Sequence, residues 1–113
     1  MKNLTNYFLE KKDIIFKDLN EVLPKELNSR KKIGIFSGTS VNKEYVAVFI
    51  YDAKSRFIRK NVDDLEEMFK ALVEYKGHNF KKKFLLISSP LCSKAKKSLE
   101  ENKWSVDIDF IKH

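Results

Sequence analysis

Residues 45–60 read YVAVFIYDAKSRFIRK. The first seven carry no charge and are mostly β-branched or aromatic, which makes them a strand. An apolar run without alternation is buried on both faces, so this strand belongs inside a sheet. The run ends in Asp52; Lys54 follows two places on, and Arg56, Arg59 and Lys60 come after it. Three readings of that charged cluster are open: a solvated pair where the strand surfaces, a nucleic-acid contact, or an active site. Residues two apart on a strand share a face, which puts Asp52 and Lys54 side by side.

Upstream, KIGIFSGTS (32–40) is a shorter strand. Gly38 with Ser37, Thr39, Ser40 and Asn42 supplies turn chemistry, so the two strands form an antiparallel hairpin. Before them, Leu4, Phe8, Ile15, Leu19 and Val22 fall at spacings of four, seven, four and three, which predicts a helix over 4–23 capped by Asn3 or Thr5 and stopped at Pro24. Downstream, Asn61 starts a second helix whose Asp63, Asp64, Glu66 and Glu67 suit the positive end of its dipole. Leu65, Met68, Phe69, Leu72 and Val73 form its buried face, and Gly77 ends it. KFLLISS (83–89) is a third strand. Ser89 and Pro90 open a third helix as cap and first residue. WSVDIDF (104–110) alternates apolar and polar residues, as a half-exposed edge strand does.

The expected order is α-β-β-α-β-α-β: an α/β chain at the α+β border, with a small mixed four-stranded sheet flanked by three helices. The hairpin's first strand and the last strand would be its edges. At 113 residues, 1–113 is expected to be a single domain.

Composition narrows the function classes. The formal net charge is +7, from 23 Lys and Arg against 16 Asp and Glu, which favours polyanionic partners such as nucleic acid. Cys92 is the only cysteine, so there is no intrachain disulfide and no cysteine-rich zinc site. His78 and His113 stand apart, and no metal site is expected from them. No apolar run is long enough to span a bilayer and the N-terminus lacks a signal-peptide pattern, so the expectation is a cytoplasmic protein without a membrane partner.

The leading helix, the hairpin whose second strand ends in acid-x-Lys (YDAK, 51–54), the crossover helix and the next strand resemble the core of the PD-(D/E)xK nuclease superfamily. The resemblance covers residues 4–88 in element order and rests, in motif, on Asp52 and Lys54. It implies that Asp52 would hold a divalent metal, Mg²⁺, and that Lys54 would polarise the attacking water. The family shares its metal with a second acid on the preceding strand, and IGIFSGTS carries none; Glu44 sits eight residues before Asp52, far along the same strand. The expectation is therefore a basic, non-catalytic nucleic-acid-binding domain with a nuclease-like fold and no cofactor. Lys54, Arg56, Arg59 and Lys60 would make the contact, with Tyr51 and Phe57 interleaved to stack on bases or, for Phe57, packed under the second helix.

Whether the chain is an enzyme stays open at this point. The alternatives are a metal-dependent nuclease using Asp52 and Lys54, and a protein-interaction or adaptor domain whose edge strand takes a partner strand. A further candidate is an anion site at Ser89 and Ser93, where free N–H groups open the third helix. The run HNFKKKF (78–84), with SRKK (29–32), would add a positive belt at the opposite end of the sheet.

Overall fold

The structure is a computed structural model that describes residues 8–9, 14–27, 33–52, 56–88 and 90–107. Five strands form one mixed sheet: β1 (Phe16–Glu21), β2 (Gly34–Ser40), β3 (Tyr45–Tyr51), β4 (Lys82–Ile87) and β5 (Trp104–Asp107). Their spatial order is β1-β2-β3-β4-β5, antiparallel up to β3 and parallel from there on. Two helices make the parallel crossovers, α1 (Arg59–Lys76) between β3 and β4, and α2 (Ser93–Glu101) between β4 and β5. A short 3₁₀ turn, Pro24–Leu27, follows β1.

The strand 45–51 occupies the middle of the sheet, and its alternation explains its composition. Ala47 and Phe49, with Leu85 and Ile87 of β4, face α1 and α2, where Val62, Leu65, Leu72, Ala95 and Leu99 complete one core. Val46, Val48 and Ile50, with Phe84 and Leu86, face the other way onto Phe8 and Ile14. Both faces are covered, so neither has a place for a polar residue. Phe8 packs edge-to-face against Phe16 and Phe84, with ring centroids 5.3 and 4.9 Å apart.

The helix expected over 4–23 is replaced by a strand in its second half. Phe8 and Leu9 are helical, but Phe16–Glu21 pairs with β2 through a bulge at Lys17. The bulge adds one residue to the strand's period of two, so Phe16 and Leu19 both pack towards the core at a spacing of three. That spacing imitates a helical stripe. Pairing with β1 also satisfies the backbone edge of β2, which is therefore an interior strand; the sheet has five strands rather than four, with β1 and β5 at its edges. The proposed caps Asn3 and Thr5, and the end of the last strand at 108–110, lie outside the described residues.

Both crossover helices begin elsewhere than expected. α1 starts at Arg59, with Asn61 in its first turn reaching back: its Oδ1 accepts the Ile58 N–H at 2.9 Å. The first turn therefore holds Arg59 and Lys60, and no acid. Gly77 ends α1 as expected, at φ 75°, its N–H bonded to the Val73 carbonyl. α2 starts at Ser93, not after Ser89 and Pro90, because the chain at Pro90–Cys92 stays extended. There it bridges Phe57: the Phe57 N–H donates to the Pro90 carbonyl (2.8 Å) and the Cys92 N–H to the Phe57 carbonyl (3.2 Å). Cys92 becomes the cap, its Sγ accepting the Ala95 N–H at 3.3 Å. No helix among the described residues is long and apolar enough to cross a membrane.

Candidate nucleic-acid interface

The parallel register of β3 and β4 sets the geometry where both strands leave the sheet. Tyr51 lies opposite Ile87, which brings the next residues, Asp52 and Ser88, together. The Ser88 N–H donates to the Tyr51 carbonyl at 3.1 Å, and the Ser88 hydroxyl donates to Asp52 Oδ1 at 2.8 Å. The same two segments meet again at the Phe57–Leu91 bridge, which is parallel as well. Phe57 is buried and packs edge-to-face on Tyr51, with centroids 5.0 Å apart. It anchors this rim to the core, so the stacking role considered for Phe57 gives way to the packing one.

Asp52, Arg56, Arg59 and Lys60, which follow β3 in the chain, are all exposed. Lys54 and Ser55 lie outside the described residues, as does Ser89. Arg59 Nε approaches Asp63 Oδ1 at 4.0 Å with both side chains about two-thirds exposed, 65% and 69%. Such a pair is worth little in water, so it leaves Arg59 able to meet another anion. Arg59 and Lys60 also stand at the positive pole of α1, where a cation is disfavoured and an added negative group is favoured. Ser93 is exposed in the first turn of α2.

The donor set for a metal is thin. The start of β2 is the neighbour of this end of β3, with Gly34 opposite Ile50; neither Ile33 nor Gly34 offers a carboxylate. Asp52 has a hydroxyl as its neighbour instead. Glu44 is at the far end of β3, held by Lys81 and Lys82 at 3.2 and 3.7 Å. Among the described residues no group of three His, Cys, Asp or Glu side chains is placed to hold a metal ion. The described residues therefore do not fit the two-acid Mg²⁺ site that the sequence resemblance implies.

The basic run 81–83 is divided by its strand. Lys81 and Lys82 are exposed, whereas Lys83 turns under α1, its side chain only 16% exposed. Its ammonium lies 4.7 Å from the centre of the Phe69 ring, 4.8 Å from that of Trp104 and 3.9 Å from Glu66 Oε1. The same Glu66 oxygen accepts the Trp104 indole N–H. Burial pushes the Lys83 ammonium below its ordinary pKa; Glu66 works against that shift and Lys103 adds to it. Lys83 is thus a packing cation and not part of an exposed belt.

No protein-family model matches the chain, and no curated protein matches it. Solved structures do. One is a structure of EndoMS in apo form, with a TM-score of 0.55 and 19% identity over 90% of this chain and 42% of that one. Another is a repair endonuclease from Pyrococcus abyssi, with a TM-score of 0.50 and 20% identity over 90% of this chain and 43% of that one. The chain spans about two-fifths of the length of the structures it matches. Over that stretch it has a nuclease-like fold, similar to that of EndoMS and of the Pyrococcus abyssi repair endonuclease.

Proposed function

We propose that the chain is a nucleic-acid-binding domain that keeps a nuclease-like scaffold without cleaving. The observation that carries this reading is the makeup of the rim beyond β3 and β4. Arg56, Arg59 and Lys60 are exposed on it, while Asp52, the carboxylate that follows β3, is bonded to Ser88 and Asp63 makes only an exposed 4.0 Å pair with Arg59. Cations there attract a phosphate backbone whatever its sequence. Lys54 would join them, and Ser93 at the head of α2 offers one further hydroxyl. The fold-level neighbour named as a repair endonuclease supports a nucleic acid as the polyanion.

The test is duplex-DNA binding by fluorescence anisotropy across a salt series, with a cleavage assay in Mg²⁺ and in Mn²⁺. Binding should weaken steeply with salt, and the log–log slope should fall by about 0.9 for each phosphate contact removed in R56A, R59A or K60A. Salt-independent binding would refute the electrostatic reading. Cleavage that disappears in D52A would replace it with the nuclease alternative.

A further inference from the structure

At the opposite end of β3 from Asp52 lies a cleft of about 590 Å³ lined by Asn42, Lys43, Glu44, Tyr45, Asn79, Phe80 and Lys81. That volume is within the roughly 300–1,000 Å³ of small-ligand sites. Tyr45 opens β3, and the residue is 42% exposed although its ring belongs to an ordered aromatic stack. His78 lies on it almost face to face, with centroids 3.7 Å apart and planes at 19°. Phe80 meets the imidazole edge-on at 4.9 Å, Phe69 meets Phe80 at 5.9 Å, and Trp104 meets Phe69 at 5.7 Å. Tyr45 is thus the solvent end of a ladder of rings that starts in the core.

The backbone holds this end in place. The left-handed turn at Gly77 brings His78 back over β3. The Lys81 N–H donates to the Tyr45 carbonyl at 2.8 Å, the Asn79 side chain accepts the Phe80 N–H at 2.9 Å, and His78 Nδ1 bonds the Asn79 carbonyl at 2.9 Å. A ring fixed in this way can receive a flat ligand without losing rotamer freedom on binding. The charges around it are unequal. Lys43, Lys81 and Lys82 surround a single carboxylate, Glu44, which pairs with two of them; Lys43 is exposed.

A ligand that suits both features has a π-face and a negative charge, which describes an unpaired nucleotide. We infer that the Tyr45–His78 stack is a platform on which an unpaired base of a nucleic-acid strand stacks, with its phosphate towards Lys43 and Lys81. The inference rests on the nucleic-acid reading given above and adds a second contact, seven strand residues from Asp52 or about 23 Å at 3.3 Å per residue. Stacking of this type tolerates any base, because every base has a π-face.

The test compares three fluorescein-labelled probes by anisotropy: a short oligo-dT strand, a strand of equal length built from abasic sites, and a blunt duplex. The two single strands carry the same phosphates and differ only in bases. The wild-type protein should bind oligo-dT about 5- to 150-fold more tightly than the abasic strand, the range expected of one stacked base. Y45A and Y45L should abolish that ratio and Y45F should keep it; Y45L retains an apolar side chain on the strand, so a loss in both variants is not a folding defect. R59A with K60A should weaken all three probes and leave the ratio intact. Duplex binding by wild-type protein with no preference between the two single strands overturns the platform and leaves the carboxyl-end interface standing. A preference that survives in Y45L overturns it as well. No binding to any probe refutes both readings.

Discussion

Replacing Gly38 by alanine tests the register that distinguishes this fold from its sequence-based expectation. Gly38 sits in β2 opposite Leu19. A methyl group there would lie 2.8 Å from two carbons of the Phe16 ring and 2.9 Å from the Asp18 carbonyl oxygen. It is short by about 0.6 Å of the 3.4 Å at which ordinary contact begins. The Phe16 ring can swing aside at some loss of its contact with Phe8. The Asp18 carbonyl is backbone and cannot move without disturbing the bulge. Overpacking of this sort destabilises by about 1–3 kcal/mol. For a chain of this size that lowers the melting temperature by about 4–12 °C, at roughly 4 °C per kcal/mol. Gly34 is the internal control: a methyl group there meets Ile50 Cβ at 3.3 Å and little else, so G34A should shift the melting point much less. Calorimetry or denaturant titration of both variants, with F16A/G38A added, measures the difference. The double variant should recover only part of the loss, since the carbonyl clash remains. If G38A and G34A melt together at the wild-type temperature, β1 does not lie on β2 and the account of residues 16–21 fails.

Three further perturbations have signs fixed by the structure. G77A places a methyl group in open space but at φ 75°, so it should cost about 1 kcal/mol from the backbone alone, read as an earlier denaturation midpoint at unchanged slope. Lys83 has a folded-state pKa below its ordinary 10.5. The unfolded chain therefore binds more protons between the lowered value and 10.5, and stability should rise with pH across that window. In K83M that alkaline rise should vanish, and the wild-type slope itself should stay well under the about 1.4 kcal/mol per pH unit of one full proton. D52N removes a negative charge from a basic rim while keeping a hydrogen-bond acceptor for Ser88, so it should tighten DNA binding by about 1.4- to 5-fold, on the scale of an exposed charge pair. Weaker binding of D52N would mean that Asp52 contacts the nucleic acid, directly or through a metal.

Much of the sheet could be read from single residues, because burial leaves a plain mark on composition. YVAVFIY and KFLLI are apolar on both faces and lie side by side in the interior; Gly77 and the edge position of Trp104–Asp107 were equally legible. The misread parts depend on partners distant in sequence. Nothing local marks Lys17 as a bulge, and without it Phe16 and Leu19 look helical. Nothing near Ser89 shows that Pro90 will bond Phe57, so a Ser-Pro pair that commonly opens a helix is here an extended segment. The Asp52–Ser88 bond needs the β3–β4 register, and the Tyr45–His78 stack needs the turn at Gly77 to close on β3; sequence spacing gives neither.

The same dependence on register bears on the proposal that this nuclease-like scaffold binds without cutting. In this sheet the carboxyl end of β3 has two strand neighbours, the start of β2 and the end of β4. An acid on either of them, beside Asp52, could share a metal with it. β2 brings Ile33 and Gly34 to that place and β4 brings Ser88, whose hydroxyl donates to Asp52 rather than joining it as a second anionic ligand. At Gly34 a methyl group already meets Ile50 Cβ at 3.3 Å, so a longer carboxylate side chain would ask more of Ile50 than the methyl group does. An acid could therefore be restored more easily from the β4 side. S88D would set two carboxylates at adjacent registers, where they repel each other unless a cation lies between them. The substitution should lower the melting temperature in a chelator, and added Mn²⁺ should return part of that loss while leaving the wild-type protein unchanged. Equal melting of wild type and S88D in both conditions would show that residues 52 and 88 are not neighbours, and the rim described here would have to be redrawn.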